Sequence, residues 1–203
     1  MSPVGAGATP LGRLRELVAR NHGTHRGWAR LQLANLEYLA GRLTGWTQVR
    51  LPTVRRLVFV CQGNINRSAF AQAAAQRAGL RAVSFGLACS SGMPAFATAM
   101  ETAQRFGLPL SEHRATNLAD FEYLDGDLLA AMEVRQVDRL IDAGFAPRSI
   151  VLLGRWSSPM RLHIHDPHTL GDSYFLTCFS IIDSAVRNLD AELRALGHPV
   201  APG

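Results

Sequence analysis

The stretch that most limits how this chain can fold is Cys61-Gln62-Gly63-Asn64-Ile65-Asn66-Arg67-Ser68, taken with what stands on either side of it. Before it, Arg56-Leu57-Val58-Phe59-Val60 is a short, apolar, β-branched run of the kind buried in parallel sheets. After it, Ser68 to Gly79 is rich in Ala and Gln and closed by a glycine, the pattern of a helix with its stop. A loop that leaves a strand and enters a helix lies at the carboxyl edge of an α/β sheet, where helix amino termini converge and ligands bind.

The residue types in the loop fit one chemistry. The spacing Cys-x5-Arg lets a single loop curl around a tetrahedral oxyanion, with backbone N–H groups turned inward and the helix from Ser68 adding the positive end of its dipole. Gly63 is expected to take a backbone conformation costly to other residues, and Asn64 tolerates positive φ next best. Arg67 can present a planar fork to two phosphate oxygens. The same field favours the thiolate of Cys61, towards which Ser68 is placed to donate. Gln62, Ile65 and Asn66 complete the loop. A thiolate attacks phosphorus readily and splits one hard displacement into two. The five specified positions (Cys, Gly, Asn, Arg, Ser) would coincide by chance in roughly one in ten thousand chains of this length. A structural cysteine with an unrelated arginine is therefore the weaker reading.

The rest of the chain alternates. Arg81 to Phe85, Asp127 to Met132 and Ser149 to Leu153 read as further strands. Helices are expected at Ala95 to Phe106, around Val134 to Ala143, and from Asp172 or Ser173 onward, where Phe175, Phe179, Ile182, Val186, Leu189 and Leu193 share a face. This order implies an α/β fold, a four-stranded parallel sheet with helices on both faces, plus an N-terminal helical extension. In that extension, residues 1–10 read as a flexible start. Leu11, Leu14, Leu17 and Val18 mark a helix over 11–21, Asn21 to Gly27 a break, and Trp28 to about Gly45 a second helix. The expected division is an Arg-rich helical extension over 1–50 and an α/β domain over 55–199.

Composition narrows the class. The 203 residues, 47% of them apolar, suit one domain with a full core. No apolar run approaches the roughly 20 residues of a bilayer span, and the start lacks a signal-peptide pattern, so a cytoplasmic protein is expected. Cys61, Cys89 and Cys178 form no CxxC pair, which argues against a disulfide framework or a zinc knuckle. Cys89 and Cys178 read as small core or loop residues. All 21 cations are Arg, and the net charge of +5 divides into +7 over residues 1–60 and −2 over 61–203. The basic excess belongs to the front segment, and no nucleic-acid partner is expected from it. Nothing in the sequence implies a cofactor or a metal.

These residues resemble a known family. VCQGNINRS is similar to the signature of the low-molecular-weight protein tyrosine phosphatases. Ser84 and Gly86 fall where that family has a Ser-x-Gly turn, and GLPLSEHRATNL (107–118) is similar to its segment ending in a His-Arg-Ala-like element. DLLAAME (127–133) resembles its third strand, and Asp166-Pro167-His168 its Asp-Pro-Tyr loop. The likeness covers about 57–197. It implies the phosphotyrosine phosphatase I-like fold, Cys61 as nucleophile, Arg67 as phosphate ligand, and hydrolysis of phosphotyrosyl proteins through a cysteinyl-phosphate.

A leaving phenolate also needs a proton, which a carboxylic acid across the site can supply. On the residues alone Asp166-Pro167 is more often just a turn; the resemblance points to Asp166 as the acid and later as the base on water. His163, His165 and His168 flank it, but no Cys or acidic pattern completes a metal site. His163 and His165 read as solvated groups or as supports of the site.

The chain departs from the family in places. Asn66 stands where most members carry a second Cys that traps the nucleophile as a reversible disulfide, so Cys61 is expected to over-oxidise more readily unless Cys89 substitutes. Ala69 replaces the usual Pro. The loop after Ser84 lacks the common aromatic, and His168 and Thr169 stand where one or two Tyr are usual. Phe85, Met93, Phe96 and His168 are the candidate substrate rim. Ile65 favours a tyrosine-type site, because a related branch acting on phosphoarginine carries Thr there.

Two rival readings compete with this one. A thioredoxin-coupled arsenate reductase has a similar loop but needs two further cysteines downstream, and residues 131–141, where they would fall, contain none. A non-catalytic phosphate-binding module would keep the loop for recognition alone. By family analogy the partners are a phosphotyrosyl protein and a bacterial tyrosine kinase. Residues 1–50 permit contact with a membrane surface or docking to a kinase, but helices that cap the domain or form a dimer interface are the plainer expectation.

Overall fold

The computed structural model describes residues 9–47 and 51–197. The flexible start expected over 1–10 lies, but for its last two residues, outside them. Four strands, β1 (Arg56–Cys61), β2 (Ala82–Gly86), β3 (Asp127–Ala131) and β4 (Ile150–Leu152), form one parallel sheet in the order β2-β1-β3-β4. The chain runs from β1 to β2 on one side and then crosses to β3 on the other. The carboxyl end of β1 is therefore the switch point of the sheet, where a crevice opens.

The pleat sorts the core into two halves. Leu57, Phe59 and Cys61 of β1, with Leu128 and Ala130 of β3, face α4 (Arg67–Arg77), α5 (Ala97–Gln104) and α7 (Asp172–Ala195). Val58, Val60, Phe85, Leu129, Ala131, Ile150 and Leu152 face the opposite side, towards α6 (Val134–Asp142). Successive side chains alternate because the strand period is two. On the first side Phe70 of α4 stacks on Phe179 of α7, with ring centroids 4.0 Å apart. Gly79, at φ 81°, ends the helix that carries Phe70.

The extension forms α1 (Pro10–His22), α2 (His25–Leu39) and the short α3 (Thr44–Thr47). The break expected over 21–27 shrinks to Gly23 and Thr24. Gly23 closes α1 at φ 74°, and Thr24 restarts the chain at once by accepting the Gly27 N–H at 2.9 Å. The second helix also stops short of Gly45, because the chain turns at Gly41, φ 76°. Ala34 and Leu43 are buried in the same cluster as Val58, Val60 and Leu129. The extension thus walls the second side of the sheet, while α1 packs along α7. No helix among the described residues is long and apolar enough to cross a membrane.

Candidate active site

Cys61 ends β1 and Arg67 begins α4, so residues 62–66 must reverse the chain in a tight turn. The Cys61 thiol is buried, 3.0 Å from Ser68 Oγ, and accepts the Asn64 backbone N–H at 3.3 Å. The left-handed residue of the loop is Asn64, at φ 52°, and not Gly63 as the sequence suggested. A Cβ added to Gly63 would meet only the Ile65 side chain at an ordinary 3.6 Å.

Asn64 tolerates that backbone because everything it carries is bonded. Its Oδ1 accepts the Thr116 N–H at 2.8 Å, its Nδ2 donates to Ser68 Oγ at 2.8 Å and Ser84 Oγ at 2.7 Å, and its carbonyl lies 2.6 Å from His113 Nε2. The Thr116 N–H fixes which end of the amide is oxygen. With both amide protons committed, the two serine oxygens accept, and their own protons are directed elsewhere. Ser84 donates to Gln72 Oε1 at 2.6 Å, which leaves Ser68 to donate to Cys61 Sγ. Gly86 allows the loop to lie this close to β2: a Cβ there would be 3.0 Å from the Gln62 carbonyl and 3.1 Å from Asn64 Cβ.

Arg67 is fully buried behind the loop. Its Nη1 donates to Glu133 Oε1 at 3.1 Å and to the Ile164 carbonyl at 2.8 Å, and its Nη2 donates to Asp166 Oδ2 at 2.7 Å. Its Nε has no partner among the described residues, and it and the second Nη2 proton are the donors left for a ligand. Burial works against the guanidinium charge, but Asp166 and Glu133 outweigh it and hold the pKa above its ordinary value. Burial likewise pushes the two carboxyls up, and Arg67 overrides it, so both stay below the usual carboxylate range. Asp166 Oδ1 also accepts the His168 N–H at 3.2 Å.

Of the remaining loop residues, Gln62 is exposed and accepts from Arg139 Nη1 at 2.7 Å, Ile65 is half-buried, and Asn66 is buried just ahead of α4. Cys178 is buried and Cys89 half-buried, and burial pushes both thiols up.

Two expectations need correcting. Phe85 is not on a substrate rim. It is 0% exposed and stacks on Phe121 on the far side of the sheet, because Ser84 faces the loop and the pleat sends its neighbour the other way. His163 is not solvated. It is 6% exposed, with Nδ1 3.7 Å from Glu133 Oε2, and burial pushes its pKa down to about 4. The other rim candidates are at the surface: Met93 and His168 are exposed, and Phe96 meets the His168 ring at 4.8 Å while its N–H donates to the Ile65 carbonyl.

Glu133 and His113 were not found from the sequence. Both lie in stretches that the family resemblance had picked out, Glu133 at the end of DLLAAME (127–133) and His113 in the His-Arg-Ala-like element, but no role was read for either; Glu133 also follows β3 at the carboxyl edge of the strand beside β1. Among the described residues no group of three or more His, Cys, Asp or Glu could hold a metal ion.

The sequence profile of the low molecular weight phosphotyrosine protein phosphatases matches residues 56–197. The chain belongs to that family. One curated relative in this phosphatase family is EpsP of Ralstonia solanacearum, named "Probable low molecular weight protein-tyrosine-phosphatase". It is 32% identical over 148 residues, covering 71% of this chain and 99% of its own. Escherichia coli K12 Wzb, named a low molecular weight protein-tyrosine-phosphatase, is 29% identical over 142 residues, covering 68% of this chain and 95% of its own. Among solved structures, the tyrosine phosphatase AmsI of Erwinia amylovora superposes with a TM-score of 0.58 at 25% identity, over 66% of this chain and 90% of its own. The YwlE arginine phosphatase of Geobacillus stearothermophilus shares the fold, with a TM-score of 0.60 at 21% identity over 70% of this chain and 94% of its own. The phosphatase match begins at residue 56, so α1 to α3 lie ahead of it.

Proposed function

We propose that this chain is a protein tyrosine phosphatase that hydrolyses phosphotyrosine and other aryl phosphate monoesters through a cysteinyl-phosphate. In this reading 55–199 is the phosphatase domain and 1–50 its helical extension. The observation that carries it is the meeting, at one strand end, of Cys61 Sγ, Ser68 Oγ 3.0 Å away, and a buried Arg67 joined to Asp166 at 2.7 Å.

The Cys61 thiolate attacks phosphorus while the loop N–H groups and Arg67 hold the phosphoryl oxygens. The P–O bond to the phenol breaks, and Asp166 gives its proton to the leaving oxygen. Water then attacks the cysteinyl-phosphate and passes a proton to the Asp166 carboxylate. The P–S bond breaks, and phosphate and the thiolate are released. A phosphate dianion entering the loop competes with Asp166 for the Arg67 guanidinium. Losing that cation and gaining a negative neighbour pushes the Asp166 carboxyl back up, towards the protonated form that the first step requires.

Hydrolysis of p-nitrophenyl phosphate tests the reading. Cys61→Ser is expected to abolish turnover, and Asp166→Asn to lower it by about 10² to 10⁴-fold. Activity surviving Cys61→Ser sinks the mechanism, and a wild type that binds phosphate without turnover favours a recognition module. Among phosphopeptides carrying Tyr, Ser, Thr or Arg phosphate, the tyrosine form is expected to turn over fastest. A tyrosine kinase as the partner rests on family analogy.

A second reading concerns the extension. Leu11, Leu14, Leu17, Trp28, Leu36 and Leu39 are exposed in a region whose first 60 residues carry +7, which supports contact with an anionic bilayer surface. Co-sedimentation with anionic but not zwitterionic vesicles, lost in the double variant Leu36→Glu with Leu39→Glu, is the expected result. Equal sedimentation of both proteins would remove it.

A further inference from the structure

The turn between α1 and α2 is packed against the segment that carries Asp166. A Cβ on Gly23 would stand 2.8 Å from Leu170 Cδ1 and from Tyr174 Cε1, and one on Gly27 2.8 Å from His165 Cγ. Between them, Thr24 Oγ1 accepts the Gly27 N–H at 2.9 Å and is bonded to His165 Nε2 at 3.0 Å. A hydroxyl that accepts from Gly27 can at the same time donate to a neutral imidazole, and burial, with Arg67 nearby, holds the His165 pKa below its ordinary value. The His165 carbonyl accepts from the Tyr174 hydroxyl at 3.2 Å. Four residues earlier, Arg161 Nη1 donates to the Asn21 carbonyl and to His22 Nδ1.

The same turn therefore meets the chain on both sides of Asp166, at 161 and 165 before it and at 170 after it. No helix or strand runs between 156 and 171, so the position of this stretch depends on what packs against it. The family match starts at residue 56, so this part of the packing comes from outside the matched domain and adds to the bonds that hold the Ile164 backbone from within it.

Resting on the reading of Asp166 as proton donor, we propose that the α1–α2 turn is a latch that sets the Asp166 loop, with Thr24 and His165 as its positioning residues. An acid displaced by about 1 Å loses much of its effect, up to roughly 10²-fold. The loss falls on esters whose leaving oxygen needs the proton and spares those whose leaving group is stable as an anion.

The test compares kcat/KM for phenyl phosphate and dinitrophenyl phosphate in the full chain, because that parameter reports the step in which the phenol departs. Asp166→Asn sets the scale, with a large loss on the phenyl ester and a small one on the dinitrophenyl ester. Thr24→Val and His165→Leu are expected to lower the phenyl value by about tenfold and the dinitrophenyl value by no more than about twofold. Thr24→Ser, which keeps the hydroxyl, is expected to restore both. Equal losses on the two esters, or none on either, overturn the latch. If Asp166→Asn discriminates and the latch variants do not, only the latch falls. If Asp166→Asn itself fails to discriminate, the acid reading falls first and removes the role assigned to the latch.

Discussion

Ser68 has its proton aimed at Cys61 because Asn64, held by the Thr116 N–H, leaves the hydroxyl no other acceptor in the network. Ser68→Ala removes that one bond to the sulfur, which the proposed attack uses as a thiolate, and leaves one Asn64 amide proton unpaired. A hydrogen bond to a charged group is worth about 1.5–3 kcal/mol, so kcat/KM for p-nitrophenyl phosphate is expected to fall about ten- to a hundredfold. The unpaired amide is expected to cost about 1–3 kcal/mol in urea unfolding. Unchanged kinetics would show that the serine does not serve the thiolate. At this scale the sequence was readable where the signal lies in the residue types themselves: Cys61, Arg67 and Ser68 stand together between a strand and a helix, as their spacing suggested. It was silent where a residue acts through a contact made by folding: nothing local to His113 tells that its ring lies against the Asn64 carbonyl.

Among the elements, the extension gains most from being seen folded. The leucine spacing announced its helices, but an amphipathic stripe looks the same whether it meets a partner, a membrane or the rest of its own chain. Ala34 and Leu43 settle the inner side, since both lie in the core with Val58 and Val60. Leu43→Ala is expected to cost about 2–5 kcal/mol in thermal or urea unfolding, as for other buried leucines. A change within about 0.5 kcal/mol, the usual range of surface positions, would mean that the extension is merely attached. The strands were legible within a residue or two, because a buried parallel strand declares itself by composition. The misplacement of Phe85 was avoidable from the pleat: once Ser84 faces the loop, its neighbour must face away.

The whole molecule inherits a pH dependence from its buried imidazoles. His163 has a folded pKa of about 4 against 6.5 unfolded. The unfolded chain therefore takes up its proton first as pH falls. The stability contribution is complete above pH 6.5 and is lost on descending towards pH 4. For this residue the loss amounts to at most about 3 kcal/mol. His113 and His165, also held down by burial, add to the same slope. Urea midpoints of wild type and His163→Gln between pH 7 and 4.5 check this, with a flatter curve expected for the variant and parallel curves counting against it. The arrangement of the extension also bears on how the chain is made. Synthesis delivers α1 to α3 before any strand they cover, so Ala34 and Leu43 emerge with nothing to rest on. Their partners extend as far along the chain as Leu162. Contacts that distant form only after a large loop has closed, and the pair Thr24 and His165 spans 141 residues. These helices, made before the strands they cover, are thus among the last elements to settle, and recovered enzyme activity would register their arrival.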